Sequence, residues 1–165
     1  MTTNVDMILY EEEYQQIVKE VNRLWKDSNS KIVFVVDKNG QLIASAGEVK
    51  EMDTTSLASL TAGNIAATGG LAKLLGEKEF SILFHEGEKD HLHISLVGDR
   101  AILVVIFDNR TSLGLVRLRV KRASEGLARI FESINQKVTA GSSPGEETQS
   151  PFAEITEDDI DNLFR

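Results

Sequence analysis

Five short apolar runs, set close together along the chain, constrain its fold more than any other feature. "KIVFVVD" and "QLIASAGE" flank "KNG"; "FSILFHE", "HLHISLVG" and "RAILVVIFD" follow later, with "GEKD" and "GDR" at the turns between them. β-Branched residues crowd the runs, while Gly, Asp and Asn fill the gaps, which is the pattern of strands joined by turns. Asn39-Gly40 is a hairpin signal. Connections this short join antiparallel neighbours, because a parallel pair needs a crossover of a dozen or more residues. The longest run, "AILVVIF" at 101–107, suits a strand and falls far short of the roughly 20 residues of a membrane-spanning helix.

Between and around the runs lie three helical patterns. Tyr10, Tyr14, Ile17, Val18, Val21, Leu24 and Trp25 recur at helical spacing and mark a first helix. A second begins at "MDTTSLASL", with Asp53 or Thr54 as N-cap, and should stop at Gly76. Leu57, Leu60, Leu71, Leu74 and Leu75 are read as its apolar side, facing the sheet. A third covers about 111–138, with Leu113, Val116, Val120, Ala123, Leu127, Ile130 and Ile134 on one face. The order α-β-β-α-β-β-β-α predicts an α/β protein of the α+β type, a five-stranded antiparallel sheet between helices.

With 165 residues the chain holds one domain and a tail, and the domain is long enough to bury a core. It has no cysteine, hence no disulfide framework, no thiolate nucleophile and no zinc–cysteine site. The N-terminal stretch lacks the basic and apolar regions of a signal peptide, and the expectation is a cytoplasmic protein. The net charge is −8, but residues 141–165 carry seven acids against Arg165 alone, which leaves only −2 for residues 1–140. An acidic balance argues weakly against nucleic acid.

That acidic end is organised. Residues 1–138 read as the domain and 139–151, rich in Gly, Ser, Pro and Glu, as a flexible linker spanning about 20 Å on average. Residues 152–165 then read as an acidic amphipathic segment. Thr156 is an N-cap candidate with Asp159 three residues on, and Ile155 and Ile160 have the spacing of a hydrophobic staple. Ile160, Leu163 and Phe164 share one face. A helix of two turns does not persist alone in water. The segment is therefore expected to order against a partner's groove, through Phe152, Ile155, Ile160, Leu163 and Phe164. Two other readings stand beside this one: a solvated acidic end, and a tail attracted to the basic strip Arg117, Arg119, Lys121, Arg122 and Arg129 of the third helix, which Glu125 alone interrupts.

A search for catalytic chemistry finds little. Phosphate-cradling loops, a dinucleotide fingerprint and a nucleophile elbow are all missing. His85, Glu86, His91 and His93 are the nearest approach to a metal site, and ordinary polar residues around a hairpin explain them better. Arg110 in "FDNRTSLG" has the look of a finger aimed at a partner's phosphates, but a turn arginine paired with Asp108 or capping a helix is the preferred reading. No cofactor is implied. The second helix is more informative. Ala58, Ala62, Ala66 and Gly70 follow at intervals of four, beside Gly63, Ala67 and Gly69. Glycine inside a helix costs about 1 kcal/mol relative to alanine. With the leucines assigned to the sheet, the small residues are read as facing another backbone, such as the same helix of a second copy in a symmetric dimer.

The element order, "VVDKNGQLIASAG", "DTTSLASLTAGNIAATGGLAKLLGE", "VVIFDNRTSLGLVRLRVKRAS" and the closing "SPFAEITEDDIDNLF" together resemble the roadblock/LC7 family over nearly the whole chain. Within it they resemble the bacterial homodimers that act as activating proteins for a small Ras-like GTPase in cell polarity and motility. The resemblance implies a partner-binding platform built from the second helices of two protomers, here Ala58, Ala62, Gly63, Ala66, Gly69, Gly70 and Lys73. It implies a tail that docks elsewhere on the same GTPase, and sheets joined edge to edge through residues 80–85. It also implies that no arginine finger is inserted: the GTPase's own catalytic arginine and glutamine are held in place, so the chain has no active site of its own. The alternative is a scaffold that tethers the GTPase without changing its turnover. A metal enzyme built on the histidines is the least favoured reading.

Overall fold

The computed structural model describes residues 11–141. The chain divides into two units at Ile134/Asn135. The first holds α1 (Glu11–Ser28), β1 (Ile32–Asp37), β2 (Leu42–Gly47), α2 (Thr54–Leu74), β3 (Ile82–His85), β4 (His91–Val97), β5 (Ala101–Phe107) and most of α3 (Leu113–Gly141). Of the second, the described part is the end of α3, three residues of which extend into the stretch read as linker. Within it, the Thr139 hydroxyl donates to the Asn135 carbonyl at 2.8 Å. The expected element order is thus the observed one. No helix among the described residues is long and apolar enough to cross a membrane.

The five strands form one antiparallel sheet in the order β2-β1-β5-β4-β3. β1 and β5 lie at its centre and are buried on both faces, which is why their sequences are continuously apolar rather than alternating. Alternate residues sort cleanly. Val33, Val35, Leu103 and Val105 pack with Ile17, Val21 and Leu24 of α1 and with Val116, Val120 and Leu127 of α3. Ile32, Phe34, Val36, Val104 and Ile106 pack on the other face with Ala58 of α2. The register of β1 on β2 slips between Val35 and Val36, which leaves Ile43 as an extra residue. Ile43 and Ala44 consequently join the same core, on the α1/α3 side.

Local signals set the ends of the elements. The Asp37 carboxylate accepts from the backbone N–H groups of Asn39 (2.9 Å) and Gln41 (3.0 Å), and Gly40 takes the positive φ (91°) that closes the hairpin. Asp53 caps α2, accepting from the Ser56 N–H at 3.1 Å and from its hydroxyl at 2.6 Å. The hydroxyl holds the Asp53 carboxyl below the usual carboxylate range, with the N–H bond adding to it. Gly76, at φ 79°, terminates the helix. Its N–H reaches the Lys73 carbonyl (3.2 Å) and that of Glu77 reaches Ala72 (2.9 Å), the paired bonds of a Schellman motif. Ser112 opens α3 by accepting from the Leu115 N–H at 3.2 Å.

Candidate partner-binding face

α2 lies on the sheet with the opposite side to the one its leucines suggest. Ala58 (1% exposed), Thr61 and Ala72 are buried, and Leu57, Ala62 and Ile65 pack against the same core. Leu60 (74%), Leu71, Leu74 (85%) and Leu75 point to solvent. The assignment of the leucines to the sheet is corrected accordingly, with Leu57 as the exception. The physical reason is close approach. A Cβ placed on Gly40 would lie 3.3 Å from the Ser59 Cα and 3.6 Å from the Ala62 Cβ, so the β1–β2 turn comes down on this stretch of the helix. Small side chains at Ala58 and Ala62 make room for the chain's own hairpin.

The remaining small residues sit differently. Gly63, Ala66, Ala67 and Gly70 are exposed, Gly69 is half-buried, and a Cβ on any of the three glycines would meet nothing within 4 Å. Lys73 is exposed beside them. The outer side of α2 is therefore a shallow apolar trough at Gly63, Ala67 and Gly70, with Leu60 at one end and Leu71 and Leu74 at the other. At 1.5 Å per residue it runs about 20 Å. A continuous exposed apolar strip of this kind marks an interaction surface. It lies near one sheet edge: the Asn64 amide of α2 contacts His85 Nε2 of β3 at 3.2 Å. Among the described residues β3 pairs with β4 on one side only, and Ile82 on it is exposed. An open edge with an exposed isoleucine is a template for a further strand.

The two other groups of interest resolve into local roles. The Arg110 guanidinium is bound to Asp108 (Nε to Oδ1 2.9 Å, to Oδ2 3.1 Å) and lies 3.5 Å from Glu48, while its carbonyl accepts from the Asn29 amide at 2.9 Å. These bonds raise its pKa and lower that of Asp108. The turn-arginine reading is the observed arrangement. The histidines do not converge. His85 pairs with Leu92 and meets α2, whereas His93 pairs with Phe84 and Val105 on the α1/α3 side. His91 packs its ring 5.2 Å from Phe107, and its Nδ1 accepts from the Gly87 N–H at 3.3 Å. His93 is 1% exposed, and neither ring nitrogen has a partner among the described residues. Burial lowers its pKa, and the charge of Arg117 adds to that. Among the described residues no three His, Cys, Asp or Glu side chains are grouped to hold a metal ion.

Comparison with known proteins agrees with this geometry. Residues 19–107 match the Roadblock/LC7 domain. The chain belongs to the Roadblock/LC7 family. Myxococcus xanthus MglB is similar at 65% identity and a TM-score of 0.74, over 78% of this chain and 96% of that one. The gliding protein MglB of Thermus thermophilus is 38% identical with a TM-score of 0.73, over 77% and 96%. An MglB structure described as a tetrameric arrangement is 36% identical with a TM-score of 0.73, over 78% and 96%. No curated protein matches the chain.

For this Roadblock/LC7 chain, the features missed in the sequence are the outward leucines, Ile82 and the Asn64–His85 contact. No local signal marks the leucines as outward, because adjacent apolar residues can share one buried helix face, as Ile130 and Phe131 of α3 do. Phe152, Ile155, Ile160, Leu163 and Phe164 lie outside the described residues, as does Tyr10.

Proposed function

We propose that this chain is a homodimeric regulator of a small Ras-like GTPase of the MglA type and raises that GTPase's turnover. The observation that carries the proposal is the outward strip of α2, apolar and unobstructed at Gly63 and Gly70, in a chain so similar to proteins named MglB. In the dimer, two α2 helices lie side by side and the β3 edges pair, which satisfies backbone groups that a single copy leaves open. Ala66, Gly69, Gly70 and Lys73 meet the GTPase. Ala58 and Ala62 support that face from beneath.

The mechanism is differential binding. Phosphoryl transfer needs positioning and charge stabilisation more than covalent help. A dimer that binds the hydrolysis-competent conformation of the GTPase better than its ground state supplies the first by shifting the population. The charge comes from the GTPase's own arginine. The engagement of Arg110 by Asp108 and Glu48 supports this division of labour, because a finger would have to give up both carboxylates. The tail, through Phe152, Ile155, Ile160, Leu163 and Phe164, docks elsewhere on the same GTPase. The setting is the cytoplasm, with recruitment to a cell pole.

Single-turnover GTP hydrolysis by the cognate GTPase tests the reading, with the full chain and with a chain lacking residues 142–165. Acceleration by the full chain is expected, and the shortened chain shows what the tail adds. Binding without acceleration would replace the activator by a tether.

A further inference from the structure

We propose that the groove between α1 and α3, on the sheet face opposite α2, is a second docking site and takes an acidic peptide segment of a partner protein. The groove holds about 390 Å³. Lys19, Glu20 and Arg23 form its α1 wall, and Gly126, Arg129 and Ile130 its α3 wall. At Gly126 the walls come close: a Cβ there would lie 3.2 Å from the Glu20 carboxyl carbon, so a side chain would require Glu20 to shift.

Three observations converge on an acidic occupant. First, the charge is local and opposed to the rest of the chain. Lys19, Arg23 and Arg129 line the groove against one acid, Glu20, in a protein of net charge −8. Second, among the described residues Arg23 pairs with Asp27 at 3.6 Å, while Lys19, Arg119, Arg122 and Arg129 make no ion pair. Third, one of them is buried at a donor atom. Arg119 Nε is shut away from solvent without an acceptor among the described residues, beside a gap of about 20 Å³ that shares Glu20 and Arg23 with the groove and is also lined by Asp27, and neither carboxylate bonds to it. A buried donor on a charged group is costly to leave unpaired. A carboxylate at the mouth of this gap, directly or through one water, satisfies it.

The shape selects a peptide over a membrane or a nucleic acid. A flat anionic bilayer would have to meet Glu20 along with the cations. A threaded peptide can place carboxylates on Lys19, Arg122 and Arg129 and an apolar side chain on Ile130. A long polyanion is repelled by the chain's overall charge.

The test is fluorescence anisotropy with the full chain and a short fluorescein-labelled peptide rich in glutamate and leucine. Saturable binding is expected, weakening with added salt and falling by about tenfold or more in Arg122→Glu/Arg129→Glu, since hydrogen bonds to charged groups are each worth that much. Lys19→Glu, exposed on the other wall, is expected to weaken it too and serves if the double variant misfolds by thermal denaturation. Gly70→Arg on α2 should leave peptide binding unchanged. Absence of saturable binding, or binding that survives both reversals, overturns the proposal. So does a result in which phosphatidylserine vesicles bind with this dependence and the peptide does not.

Discussion

Gly70→Arg separates the fold from the function of α2 and carries opposite signs for the two. Gly70 is exposed on the outer side of the helix, its φ is not positive, and a Cβ there meets nothing within 4 Å. The substitution therefore meets no steric obstacle among the described residues. It removes the glycine penalty of a helix interior, and arginine is nearly as good a helix former as alanine. The expected gain is about 0.5–1 kcal/mol. For a chain of this size a gain of 1 kcal/mol moves Tm by about 2–4 °C, so the variant should unfold at the same temperature or a few degrees above the wild type. Binding to the GTPase should fail, because the long charged side chain fills the middle of the trough. Thermal unfolding followed by circular dichroism gives the first readout, and GTPase binding by calorimetry the second. A lower Tm would show that Gly70 is not in open space. Wild-type affinity at unchanged stability would remove α2 from the partner interface.

Three further substitutions test the arrangement around it. Ala58→Leu should destabilise the fold by about 1–3 kcal/mol in urea denaturation, because the larger side chain is forced into a packed core under the β1–β2 turn; a neutral result would mean the helix is not seated on its small residues. Asp53→Ala should lower Tm at neutral pH by removing the α2 cap. Since the folded Asp53 carboxyl lies below its ordinary value, the stabilisation is present above that value and lost as pH falls through the folded one, so the gap between the two proteins should close in acid. His93→Leu should flatten the pH dependence between pH 7.5 and 5.5. The folded His93 has a lowered pKa, so the unfolded chain binds the extra proton and wild-type stability drops as pH falls below about 6.5. A variant that loses as much stability as the wild type over that window would place the titrating group elsewhere.

The strands, their antiparallel pairing and the ends of α2 were legible because each rests on local chemistry. Asp37 and Gly40 make the turn, Asp53 the cap and Gly76 the stop, all within a few residues of where they act. The placement of the histidines was less so. Strand alternation puts His91 and His93 on one face, but the position of His85 depends on the β3–β4 register, which pairs it with Leu92 and turns it to the other face. The orientation of α2 was misread because both of its sides are apolar. Leu60, Leu71 and Leu74 make one stripe, and Ala58, Thr61, Ala62, Ile65 and Ala72 another at equally helical spacing. What decides between them is contact with Gly40, some twenty residues away in sequence, and no pattern within the helix encodes that contact.

The corrected orientation strengthens the inference that α2 is a binding surface. Had the leucines been buried, the small residues alone would have faced outward, and a ridge of alanine and glycine offers a partner little area. As it is, Leu60, Leu71, Leu74 and Leu75 stand in water on a chain that had small side chains free to put there. Burying a leucine side chain contributes about 1.5–3 kcal/mol, so a partner covering even two of them gains more than most single polar contacts provide. The glycines between them fix the shape such a partner must have. It needs a convex element at Gly63 and Gly70 and hollows for leucine at either end. In the proposed complex the GTPase supplies that element, meeting Gly70 and Lys73 with Leu71 and Leu74 beside them, while the second copy of α2 lies alongside.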